Sequence, residues 1–208
     1  MFDRYLNSSL KDHTRSERGA GIRRKVTSTT YTLKRWELFL KDADNKTEFF
    51  QFMAEKIVSL PSENDIIVTR NDQALSNKNR DLSGLTCSHE EADTRIFVHA
   101  RYAIIAGAKR ITMKVNDTDI LVITISLFSF LQQDGLQELW LNFGKSSSRK
   151  LIPVHSLVTS LGPECCSGLL FFHALSGCDT FQHSETKETS QCTTPGMQSL
   201  KFLQFSRN

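Results

Sequence analysis

What this sequence lacks already excludes several classes. No two of its five cysteines, Cys87, Cys165, Cys166, Cys178 and Cys192, form a C-x-x-C pair. That argues against a zinc ribbon, and the odd number argues against a closed disulfide scaffold. Reduced thiols are expected, as in an intracellular protein of the nucleus or cytoplasm. No apolar run reaches the ~18–20 residues of a membrane span, and no signal-peptide pattern opens the chain, so no membrane is expected as a partner. A large excess of one charge is also missing: 26 Lys and Arg face 23 Asp and Glu, for a net charge of +3. The total alone does not call for nucleic acid. The segment "LNFGKSSSRK" lacks the G-x-x-x-x-G-K-[ST] order of a P-loop and reads as a solvated loop. Cys178 has no assignable His and Asn partners, so a cysteine nucleophile is not expected.

What is present is enough for a core. Hydrophobic residues make up 39% of the 208 residues, with fourteen Phe, which suits one medium domain or a domain plus a tail. Cations crowd the first 35 residues. Lys11, Arg15 and Arg18 recur at helical spacing within 6–18 and share one face. Two helices are expected around a break at "DADN", ending near Pro61. "DIIVTR" reads as a strand, and a polar turn region with one weak strand follows. "SHEEADTRIFVHARYAIIAG" reads as a helix stopped by Gly107. "RITMKV", "ELWLNF" and "KLIPV" read as strands, "DILVITIS" opens an apolar element, and "HSLVTSLG" and "CCSGLLFFHALSG" read as helices. Strands alternating with helices predict an α/β sheet. Residues 181–208 read as a polar, loose tail.

The acids form a pattern. Ser88 and Glu91 have the S-x-x-E spacing of a capping box, yet Glu90 and Asp93 add two more carboxylates at the same helix start. Asp117 and Asp119 follow the strand "RITMKV" directly and precede an apolar run. Asp179 follows "GLLFFHALSG". Each has an ordinary explanation as a cap or a turn. In an α/β sheet all three points can lie on one rim, beyond the carboxyl ends of strands. Carboxylates gathered there repel unless cations sit among them. Oxygen ligands favour Mg²⁺ or Mn²⁺, and two such ions ~3.5–4 Å apart serve phosphodiester hydrolysis. His99 and His173 lie in apolar helical stretches and read as core or boundary histidines.

The phrases "MFDRYLNSSLKDHTRSER", "EEADTR", "NDTDILVI" and "ALSGCDT" resemble, in order and rough spacing, the acidic motifs of flap-endonuclease-like nucleases of the PIN-like superfamily. They also resemble phrases of animal genes of mobile-element origin. The resemblance spans residues 2–180. It implies a PIN-like fold, a mixed and mainly parallel sheet flanked by helices, over residues 1–180. It implies metal ligands at Asp3, Glu91, Asp93, Asp117, Asp119 and Asp179. Lys11 and Arg18 match the basic helix that positions and polarises the scissile phosphate, with Arg15 beside them on the substrate. The family's earlier strand, with its own Asp, has no counterpart before Asp3, and no helix-hairpin-helix pattern follows Thr180. The expectation is therefore a fragment lacking the first strand. Its activity would be Mg²⁺- or Mn²⁺-dependent hydrolysis of DNA or RNA, with two ions. The alternative is a non-catalytic remnant that binds nucleic acid or protein, and a third reading makes the acids caps and turns alone.

Overall fold

A computed structural model describes residues 2, 21–31, 34–145 and 148–177. Asp3, Lys11, Arg15, Arg18, Asp179 and the expected tail lie outside them. The chain divides into two compact units, Met1–Tyr102 and Ala103–Asn208. Among the described residues the fold is α/β, with five α-helices, one two-stranded sheet and one three-stranded sheet.

In the first unit, helices α1 (Trp36–Lys41) and α2 (Ala43–Val58) meet at Asp42. The Asp42 carboxylate accepts from Asn45 N at 2.8 Å, an N-cap that ends one helix and starts the next. Aromatic rings fill the space beside it: Trp36 stacks on Phe39 at 4.9 Å and Phe2 on Phe50 at 4.7 Å. Asn45 is fully buried and satisfied on both sides of its amide. Its oxygen accepts from Arg24 N and Arg23 Nη1, and its nitrogen donates to Ile22 O and Phe39 O. One polar side chain thus fastens residues 22–24 to the helix pair.

Strands β1 (Ile67–Arg70) and β2 (Gln73–Ser76) form an antiparallel hairpin, with Asn71 at positive φ in the turn. A 3₁₀ turn, Ser83–Leu85, follows. Helix α3 runs from Ala92 to Ile105, later than the capping-box reading placed it. Glu91 O accepts from Arg95 N at 3.3 Å, so Glu91 itself stands at the cap position. Ser88 lies three residues too early to cap, and of the three acids only Asp93 is in the first turn. The reason lies upstream: Cys87 is buried and its amide donates to Asp72 O, which holds the chain extended past Ser88.

In the second unit, β3 (Arg110–Val115) and β4 (Glu138–Phe143) pair in parallel, and β5 (Lys150–Pro153) pairs antiparallel with β4. Side chains alternate across this sheet. Met113, Val115, Leu139 and Leu141 are buried, while Arg110, Thr112 and Lys114 are exposed. Between β3 and β4 lies helix α4 (Thr118–Gln133), a right-sized crossover for a parallel pair. Its buried residues include Ile120, Leu121, Val122, Thr124, Ile125 and Phe128, too many for one narrow stripe, so the helix is enclosed on several sides. Thr124 returns its hydroxyl to Ile120 O within the helix. Helix α5 (Val154–Gly177) packs on α4, where Ser126 Oγ donates to Cys166 O at 3.1 Å. The helix kinks at Gly162 (φ 78°), directly before Pro163. Proline cannot donate into the preceding turn, and glycine takes the left-handed backbone without strain.

Candidate functional site

Beyond the carboxyl end of β3 the chain must turn into α4. Gly144 N donates to Val115 O at 3.1 Å, so the ends of β3 and β4 stay side by side. Asn116, with its amide turned to donate, reaches Gly144 O at 2.7 Å. Asp117 takes extended backbone angles and its carboxylate accepts from Asp119 N at 3.0 Å. It is the N-cap of α4. Asp119 is in the first turn, where the helix dipole favours a negative charge.

Asp119 has a second partner. His173 Nε2, near the end of α5, lies 2.8 Å from Asp119 Oδ1. The imidazole is half-buried and the carboxylate nearly half exposed. His173 is therefore a boundary histidine, as its apolar surroundings in the sequence implied, and it faces an acid 54 residues away. No local pattern could announce that pairing.

The same sheet end also carries cations. Lys114 is exposed at the end of β3, and Lys145 and Arg149 are exposed in the turn between β4 and β5. Ser148 N and Oγ both bond to Lys145 O, which shapes that turn. Gly144 takes φ 102° there, and a Cβ at this position would meet Ser148 O at 3.0 Å. The sequence signal for these cations was the glycine followed by a Lys/Ser/Arg run, read above as a solvated loop.

Of the expected ligands, Asp117 and Asp119 are brought together, with His173. Glu91 and Asp93 belong to the first unit: Glu91 O caps α3 and accepts from Thr94 Oγ1 at 3.2 Å, and Asp93 is in its first turn. Among the described residues no group of three or more His, Cys, Asp and Glu side chains is placed to hold a metal ion. Asp119 and His173 are two donors that already bond to each other. An ion there would have to replace that bond and complete its sphere with water and substrate phosphate.

A separate histidine is more deeply held. His99 in α3 has no partner for Nε2 among the described residues. Burial, with the Arg95 charge one turn away, pushes its imidazole down to about 4. At neutral pH it is a neutral structural ring. Cys87, Cys165 and Cys166 are free thiols. Burial raises the Cys166 pKa, which marks it as a packing residue rather than a nucleophile.

No helix among the described residues is long and apolar enough to cross a membrane. Comparison of the chain with protein-family models, with characterised proteins and with solved structures finds no match.

Proposed function

We propose that this chain is a PIN-like domain akin to flap-endonuclease-like nucleases, which binds Mn²⁺ or Mg²⁺ and hydrolyses phosphodiester bonds in DNA or RNA. The observation that carries this reading is the acid pair Asp117 and Asp119 at the carboxyl end of a parallel strand, with exposed cations beside it. Open α/β sheets bind ligands at that end. Asp119 and His173 would hold one ion, and Asp117 would steady the backbone that presents Asp119. An imidazole among oxygen ligands shifts preference toward Mn²⁺ over Mg²⁺. When bound, the ion supplies positive charge that stabilises the phosphoryl oxygens during hydrolysis. Lys114, Lys145 and Arg149 would attract and orient the phosphate backbone. The resemblance alone proposes Asp3, Glu91, Asp93 and Asp179 as ligands and Lys11, Arg15 and Arg18 on the substrate.

A second reading is favoured by one contact. The Asp117 carboxylate already accepts from Asp119 N, as a purely structural cap would. A remnant that binds nucleic acid without cutting it would keep this cap.

The test is a Mn²⁺ titration followed by melting temperature, paired with cleavage assays on flap and single-stranded substrates. Saturation at ~100 times Kd stabilises by about 2.7 kcal/mol. Stabilisation abolished by Asp119→Asn, with cleavage lost alongside it, supports the nuclease. Stabilisation without cleavage supports the binding remnant. If Mn²⁺ leaves the melting temperature of the wild-type chain unmoved, the metal-dependent nuclease reading fails and the acids are caps.

A further inference from the structure

Among the described residues one face of the three-stranded sheet is partly exposed, with the start of α5 meeting it through His155 against a half-buried Trp140. By the register, Thr112 stands beside Trp140 and Lys114 beside Asn142, while Trp140 faces Pro153 and Asn142 faces Leu151. Thr112 and Lys114 are exposed, and Leu151 is 58% exposed. The result is an apolar strip of Trp140, Pro153 and Leu151 across β4 and β5. Lys114 stands on the same face, and Lys145 and Arg149 lie at the end of the strip.

Trp140 is held in place rather than loose. Its Nε1 donates to Glu138 Oε2 at 2.9 Å. Glu138 in turn accepts two bonds from Arg110, each 2.8 Å. The His155 ring meets the indole edge-on with centroids 5.1 Å apart. A fixed aromatic ring loses little entropy when something stacks on it. The charges are one-sided. Glu138 is the only acid in these three strands, and Arg110 neutralises it. Among the described residues Lys114, Lys145 and Arg149 make no ion pair. A surface with an immobilised indole, apolar neighbours and unmatched cations is complementary to unpaired bases joined by phosphates. Duplex nucleic acid hides its base faces and gains nothing from the indole.

We infer that this open sheet face binds single-stranded nucleic acid, with a base on Trp140 and phosphates on Lys114, Lys145 and Arg149. The inference deepens the proposed function by naming the form of the substrate. It rests on nucleic acid as the ligand class and not on cleavage.

Binding is measured on the full-length chain in EDTA, so that neither metal nor cleavage enters. Fluorescently labelled oligo-dT and oligo-U of about twenty nucleotides are the probes, with a duplex of equal length and polyglutamate as competitors. Single strands are expected to bind more tightly than duplex, and the two labelled arms separate DNA from RNA. Trp140→Ala is expected to weaken binding about tenfold. Lys114→Glu, on an exposed position, is expected to weaken it about fivefold and to lower the salt slope by about 0.7. It should leave the melting temperature unchanged, which guards against a loss that merely reflects unfolding in the tryptophan variant. Because binding is read in EDTA, a failed nuclease reading leaves this result standing. The inference is overturned if wild type does not bind the oligomers, if duplex or polyglutamate competes equally well, or if Lys114→Glu binds with unchanged affinity.

Discussion

His173 Nε2 and Asp119 Oδ1 are 2.8 Å apart, and this contact joins the last turns of α5 to the first turn of α4. It is a side chain to side chain hydrogen bond between those two helices. His173→Ala is expected to lower unfolding free energy by about 1 kcal/mol, the size of a partly exposed hydrogen bond. Urea denaturation of His173→Ala, Asp119→Ala and the double variant measures the coupling. Strict additivity of the two losses would mean that the pair does not interact in solution.

Asp117 has a cap role that can be separated from any metal role. Asp117→Ala is expected to cost about 1 kcal/mol, because a free amide is left at the start of α4. Asp117→Asn retains an oxygen that accepts from Asp119 N and should keep most of that stability. If Asp117→Asn melts like wild type but has lost its Mn²⁺ response, the carboxylate charge contributes to the ion site as well as to the cap. Differential scanning fluorimetry with and without Mn²⁺ reads both.

His99 predicts a pH dependence with a definite sign. Its imidazole is held at about 4 in the folded chain and has its ordinary value of about 6.5 when unfolded. The unfolded state therefore binds more protons between these values. The native state is most stable above about pH 6.5 and loses stability as pH falls toward 4. The loss from this one group is on the order of 2 kcal/mol by pH 5, less whatever solvent screening removes. His99→Phe should flatten the slope of unfolding free energy between pH 6.5 and 5. An unaltered slope would assign the acid sensitivity elsewhere.

Asn45 is the tie between residues 22–24 and the helix pair α1 and α2. Asn45→Ala takes their Asn45 partner from the Arg24 amide and the Ile22 carbonyl, in or near the core, while Phe39 O keeps the Asp42 amide. A loss of about 3 kcal/mol is expected. Proteolysis should then reach the segment near Arg23 and Arg24 sooner than in wild type. Gly21 makes the same point from the backbone: a Cβ there would meet Asp42 N at 2.6 Å and Leu38 O at 2.8 Å.

The regular elements were legible where local physics is strong. "RITMKV" and "ELWLNF" are strands over the expected residues because β-branched and apolar side chains alternate with polar ones. Gly107 stops α3 because it supplies the positive φ of 101° that the turn needs. The start of α3 was misread because Ser88 and Glu91 have the right spacing, while the Cys87 to Asp72 bond that overrides it spans 15 residues. The Asp117 and Asp119 pair is visible as a motif with a turn as its ordinary explanation, and only the fold decides that Asp117 is the N-cap of α4.

By itself the sequence determined the α/β class, the strand faces and the acidic junction after β3, because those follow from periodicity, turn chemistry and charge between near neighbours. Only the tertiary structure decided that His173 meets Asp119, that Asn45 gathers four bonds, and that Trp140 meets His155 of α5. Those contacts join residues far apart along the chain. Their energies come from packing and desolvation after collapse, which no local pattern of residues encodes.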